Sequence, residues 1–113
     1  MIKGIAIPLL EQLAAKLASE TGKTAAAWLD SLRNSTSIVV QQPEQGCIYL
    51  SELDGTWGLW NGTVMSAFYH PTKEHSATTV GKLGQKRSVA KAGEWAVSIQ
   101  TRGLYGNKSN YGF

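Results

Sequence analysis

The densest group of reactive side chains lies in the stretch Tyr69-His70-Pro71-Thr72-Lys73-Glu74-His75. Two imidazoles, a carboxylate and an ammonium within so short a span hold the parts of general acid–base chemistry: a base, a group to orient it and a cation for a phosphate. The spacing is H-x-x-x-E-H rather than H-E-x-x-H, and the single cysteine, Cys47, stands far upstream, so no metal site is expected. The plainer expectation is a mobile, exposed loop in which polar residues gather because nothing there is buried, with no catalytic residue. The chain has no nucleophile elbow or dinucleotide fingerprint. Gly81-Lys82-Leu83-Gly84 lacks the Lys-Ser/Thr that a phosphate loop needs after its second glycine, and no cofactor is implied. Cys47, close to Ile48 and Leu50, reads as a buried, inert thiol.

The cations that such chemistry would use are unevenly spread. Residues 1–56 hold four basic and six acidic side chains, a balance of −2. Residues 57–113 hold seven basic ones (Lys73, Lys82, Lys86, Arg87, Lys91, Arg102, Lys108) against Glu74 and Glu94, a balance of +5. A basic half suits nucleic acid or an acidic protein partner, and it also suits a solvated face that keeps a small protein apart from its copies. Aromatic side chains add a second kind of site. Trp28 and Trp95 fall on apolar faces and read as core. Trp57 and Trp60, three apart in a short strand pattern, point to opposite faces, so one is exposed unless a partner covers it. Tyr105, Tyr111 and Phe113 lie in the tail, close to Arg102.

These residues need a scaffold, and the hydrophobic pattern supplies it in two textures. Pro8 suits a first helical turn, and Leu9, Leu10, Leu13 and Leu17 then share one face until Gly22. Thr24 is a natural N-cap for a second helix in which Ala25, Trp28, Leu29 and Leu32 repeat at i, i+3, i+4, i+7. Residues 8–33 thus read as a helix pair, or one kinked helix, covering a sheet. From residue 37 the pattern turns to strands. Ile38–Val40 and the run at Cys47–Leu50 are β-like, and Asp54-Gly55 and Asn61-Gly62 are hairpin signals. Together they predict a three-stranded meander over 47–69 with a middle strand at 56–60. Residues 94–101 alternate cleanly: Trp95, Val97 and Ile99 to a core, and Ala96, Ser98 and Gln100 to water. Residues 70–94 resist assignment, and the glycine-rich tail 102–113 has no periodicity. The sum is one α+β domain, a helix pair on an antiparallel sheet of four to five strands, in three stretches: 1–36, 37–101 and 102–113.

Composition narrows the class further. An apolar share of 42% with 17% charged residues excludes global disorder, and one cysteine excludes a disulfide scaffold. No apolar run approaches the roughly 20 residues of a membrane-spanning helix. The opening MIKGIAIPLL is short for a signal peptide, which points to synthesis in the cytoplasm. Three functions fit. The first is a non-enzymatic assembly subunit, as in a virus particle, that docks on copies of itself or on neighbouring subunits. Its contacts would be Trp57, Trp60, Arg102, Tyr105, Tyr111 and Phe113, because a glycine-rich tail needs an outside surface to hold it. The second follows from element order: helices before an antiparallel sheet with scattered His, Lys, Arg and Thr resembles in outline the ribonuclease domains of the barnase and colicin tRNase type. That resemblance implies His70 or His75 as general base, Glu74 as its partner, and Lys86, Arg87 or Arg102 on the phosphate. The third is a monomeric adaptor or inhibitor whose basic half binds an acidic protein.

Overall fold

Leucines at helical spacing open the fold. The computed structural model describes residues 5–34, 38–43, 46–55, 62–104 and 106–113. Helix α1 (Ile7–Thr21) has Pro8 in its first turn and buries Leu10, Leu13, Ala14 and Leu17 along one stripe. It ends at Gly22, whose φ of 77° is left-handed, and the Gly22 N–H donates to Ala18 O at 2.9 Å. A side chain in that conformation costs roughly 1–2 kcal/mol, which is why glycine closes the helix. Thr24 then caps α2 (Ala25–Asn34) by accepting the Ala27 N–H at 3.1 Å. The Thr21 hydroxyl joins the helices: it donates to Leu17 O at 2.8 Å and accepts the Trp28 indole N–H at 2.7 Å.

Seven strands follow: β1 (Val39–Gln41), β2 (Ile48–Gly55), β3 (Thr63–Tyr69), β4 (His75–Gly81), β5 (Gly84–Ala90), β6 (Trp95–Thr101) and β7 (Lys108–Gly112). They form two antiparallel sheets, ordered β1-β2-β3-β6 and β5-β4-β7. The helix pair covers one face of the first sheet and the second sheet covers the other. The α+β class and the helix pair on an antiparallel sheet are as the sequence indicates; the second sheet is an addition.

That second sheet accounts for most of the departures from expectation. Ala96, Ser98 and Gln100, assigned to a wet face, are 0%, 0% and 4% exposed because β4 and β5 lie across them. The unassigned stretch 70–94 supplies the β4–β5 hairpin, closed at Gly81↔Gly84. The tail, expected to need another subunit, pairs with its own β4 from Ser76↔Gly112 to Val80↔Lys108, so the backbone partners come from within the chain. Asp54-Gly55 is the end of β2 rather than a turn, and β2 pairs directly with β3 from Ile48↔Tyr69 to Gly55↔Thr63. The expected middle strand 56–60 lies outside the described residues, and no strand separates β2 from β3 in the sheet.

The two faces of the first sheet are packed by different chemistry. Toward the helices lies an apolar core that includes Leu13, Leu17, Trp28, Leu32, Leu50, Met65, Trp95, Val97 and Ile99, with Leu29 packed at its side. Each fully buried side chain of this size contributes roughly 1.5–3 kcal/mol. Between the sheets one end is aromatic, around Phe68 and Tyr49, and the rest is small or hydrogen-bonding. The Gln100 amide donates to Thr79 Oγ1 (3.0 Å) and Gly84 O (2.9 Å), and its Oε1 accepts the Leu83 N–H (2.8 Å). Thr79 donates onward to Ser98 Oγ at 2.8 Å, and Ser98 to Lys86 O at 2.8 Å. The chain of donors runs one way and ends on a carbonyl, so each link is satisfied. At the far end of β4 the sheets nearly touch: a Cβ on Gly81 would sit 2.8 Å from Thr101 O.

The outer edge of β6 is protected. Lys16 Nζ donates to Trp95 O (2.7 Å), Gln12 Oε1 accepts the Trp95 N–H (3.1 Å), Lys86 Nζ donates to Ile99 O (3.0 Å) and the Lys82 N–H to Thr101 O (3.0 Å). Lysine side chains occupy carbonyls that would otherwise recruit a foreign strand.

Candidate functional site

Phe68 on β3 is the centre of an aromatic group at one end of the sandwich. Tyr111 lies 4.6 Å away, His75 5.5 Å, Phe113 5.8 Å, Tyr49 6.2 Å and His70 6.3 Å, centroid to centroid. Strand alternation brings them together: Tyr49 faces Phe68 across the β2–β3 ladder, and Tyr111 faces Ala77 across β4–β7. Pro71 follows the end of β3, and the chain turns back over His70 to begin β4 at His75.

Both histidines belong to this packing. Their exposures of 3% and 2% overturn the expected exposed loop, although Thr72, Lys73 and Glu74 between them are exposed. His70 Nδ1 accepts the N–H groups of Thr72 and Lys73, each at 3.2 Å, and so shapes the turn. His75 holds Nδ1 at 2.8 Å from Lys73 O and Nε2 at 2.7 Å from Glu94 O, tying the start of β4 to the residue before β6. Both nitrogens of His75 thus face backbone carbonyls.

Of the remaining acid–base candidates, two share a groove with His75, while Lys86 and Arg102 are held elsewhere. Glu74 and Arg87 line a groove of about 410 Å³ with His75, Val89 and Phe113. Lys86, on the opposite face of β5 from Arg87, is held by Ile99 O and lies 3.9 Å from Glu20. Arg102 follows β6, and its N–H donates to Gly62 O at 3.2 Å. Of the expected contact residues, Tyr111 and Phe113 lie parallel within 10° at 6.4 Å, and Lys73 Nζ sits 5.6 Å from the Phe113 ring centre. Trp57, Trp60 and Tyr105 lie outside the described residues.

Two surfaces escaped the sequence reading. On the outer face of the second sheet Arg87 stands opposite Thr78 and Lys108 opposite Val80, while β4, β5 and β7 carry no acidic residue, so the face is electropositive. Placing β5 and β7 beside β4 was the missing step. Beside β7 runs a second groove, of about 320 Å³, walled by Tyr49 and Tyr111 with Gln41, Ser51 and Asn110. Tyr49 and Ser51 were visible as alternate residues of a strand, but the tail that completes the groove shows no period. Among the described residues no three His, Cys, Asp or Glu side chains group to hold a metal ion, and no helix is long and apolar enough to cross a membrane.

Comparison with known proteins identifies the kind of molecule that carries these surfaces. No curated protein and no solved structure matches the chain. A family model does: that of the bacteriocin lactococcin 972 matches residues 54–111, from the end of β2 into β7. The match overturns the expectation of a virion or other assembly subunit, and with it the virion, assembly and structural-protein descriptions. It lends no support to the ribonuclease or adaptor alternatives. Covering just over half of the chain, including β3, β4, β5 and β6 whole, it shows that the chain belongs to the lactococcin 972 bacteriocin family.

Proposed function

We propose that the chain is an antibacterial polypeptide that acts by binding at the surface of a target cell and performs no catalysis. The observation that carries this reading is the match of residues 54–111 to a bacteriocin model. The matched segment includes β4, β5 and nearly all of β7, and so the cationic face bearing Arg87 and Lys108. Such a face accelerates encounter with an anionic envelope, a rate effect that depends on ionic strength. The engagement of both His75 nitrogens by backbone carbonyls supports a role in packing rather than in proton transfer.

The test is growth inhibition. Purified, folded chain is spotted on lawns of a panel of Gram-positive and Gram-negative bacteria, with heat-unfolded chain as control. Clear zones from the folded chain alone are expected. Absence of inhibition across the panel, or equal zones from the unfolded chain, overturns the reading. Equal potency of the His75→Gln variant, if it folds, agrees with a binding mechanism.

A further inference from the structure

The groove beside β7 has a chemistry of its own. The first sheet is four strands wide and the second three, so β1 and part of β2 extend past β7 as a shelf. The step between them is the groove of about 320 Å³, at the small end of the range for small-molecule sites. Tyr111 forms one wall with 37% of its surface open. Its ring is fixed by Phe68 at 4.6 Å, Tyr49 at 4.7 Å and the parallel ring of Phe113. The Tyr49 hydroxyl is hydrogen-bonded to Ser109 Oγ, which donates to Met65 O at 3.1 Å. The aromatic wall is therefore set before any ligand arrives, which limits the ordering cost of binding.

Around that wall Gln41 and Ser51 make no side-chain hydrogen bond with the described residues, and the backbone of Asn110, whose carbonyl accepts the Ser66 hydroxyl at 2.7 Å, forms the rim. An amide and a hydroxyl offer donors and acceptors together, and no described residue of the lining is charged. Among the described lining residues a phosphate or carboxylate ligand finds no cation, and an ammonium no anion. A pyranose ring fits each feature. Its C–H face is apolar and lies against an aromatic ring, while its equatorial hydroxyls radiate toward paired donors and acceptors of this kind.

We propose that this groove is a binding site for a neutral saccharide, with the sugar ring seated on Tyr111 and its hydroxyls held by Gln41 and Ser51. The site is separate from the cationic face and goes beyond the antibacterial reading, on which it does not depend. Titration of the isotope-labelled full chain with maltotriose and with N-acetylglucosamine trimer, read by amide chemical shifts, tests it. Saturable shifts at Ser51, Asn110 and Tyr111 are expected for at least one of the two probes by about 10 mM, as a millimolar site requires. Tyr111→Ala should weaken binding about tenfold or more, and Tyr111→Phe should retain it, since stacking needs the ring and not the hydroxyl. Glucose 6-phosphate should bind more weakly than neutral glucose. The proposal is overturned by no shift with either oligosaccharide, by shifts confined to the Glu74–Arg87 groove, by preference for the phosphorylated sugar, or by unchanged binding in a folded Tyr111→Ala variant. Growth inhibition is scored separately, so failure here leaves the antibacterial reading intact.

Discussion

His75 shows how a residue chosen for its chemistry can be spent on structure. Its ring is 2% exposed, packs edge-on against Phe68, and faces a backbone carbonyl from each nitrogen. Replacing it by alanine removes a buried ring and the N–H that it donates to the carbonyl of Lys73 or of Glu94. A large-to-small change in a core costs roughly 2–5 kcal/mol, and each unsatisfied buried polar group adds roughly 1–3 kcal/mol less whatever water restores. His75→Ala is therefore expected to lose about 3–5 kcal/mol in denaturant unfolding. A loss below about 1 kcal/mol would mean that the ring does not tie β4 to the segment before β6. The sequence held this residue in view from the start but for a different reason: His-x-x-x-Glu-His is as dense in reactive groups as an active site, and burial cannot be read from density. Cys47, Trp28 and Trp95 were legible as buried because their neighbours are apolar, and they are 1%, 0% and 0% exposed.

At the scale of elements, a single strand tells the same story with polarity in place of chemistry. One side of β6 packs on α1, and the other carries Ala96, Ser98 and Gln100 into the inter-sheet layer. Gln100 is the hub, because its amide reaches Thr79, Gly84 and the Leu83 N–H together. Gln100→Leu keeps much of the volume but leaves the Leu83 N–H and Gly84 O unpaired, and a loss of about 2–4 kcal/mol is expected. Ser98→Ala, which removes one hydroxyl from the same chain of donors, should cost about 1–2 kcal/mol. Urea unfolding of both variants measures the order, and a Gln100→Leu protein as stable as the parent would show that the layer is held by shape alone. Here lies the limit of what the chain discloses. The helix pair, its Gly22 stop and Thr24 cap, and the inward face of β6 were legible because apolar residues at a period of 3.6 or 2 mark a buried side. The second sheet was not, since Ser, Thr and Gln alternate in the same way whether they meet water or each other. Nor was β7 legible: Lys108–Gly112 offers little hydrophobic pattern, and it becomes a strand because β4 presents an open edge to it. Both grooves depend on these elements, so the candidate sites fell below what spacing could locate.

The whole molecule is a layered charge distribution. Acidic residues Glu11, Glu20 and Asp30 share the helix layer with Lys16, Lys23 and Arg33, while the strands of the second sheet carry only basic charge. Lys86 turns inward toward β6 and Glu20, which leaves Arg87 and Lys108 as the exposed cations of the outer face, with Lys82 at the β4–β5 turn. If this face brings the protein to an anionic envelope, reversing Arg87→Glu and Lys108→Glu together should abolish the attraction without unfolding the chain. Both side chains are exposed or near a groove rim, so the change in stability should stay within about 0.5–1 kcal/mol. The same substitutions take the formal net charge from +3 to −1, since each reversal removes two units. A second double variant, Arg33→Glu with Lys91→Glu, makes the same change of charge off the face, on α2 and in the β5–β6 turn. The expected result is a rise of about tenfold in the concentration giving half-maximal growth inhibition for the first pair, at low ionic strength, and a much smaller rise for the second. For the parent chain, raising salt from about 0.01 M to 0.15 M shortens the screening length from roughly 30 Å to 8 Å, so potency should fall toward that of the first pair. Equal effects from the two pairs would assign the attraction to net charge rather than to the sheet face, and potency independent of salt would remove the cationic face from the mechanism.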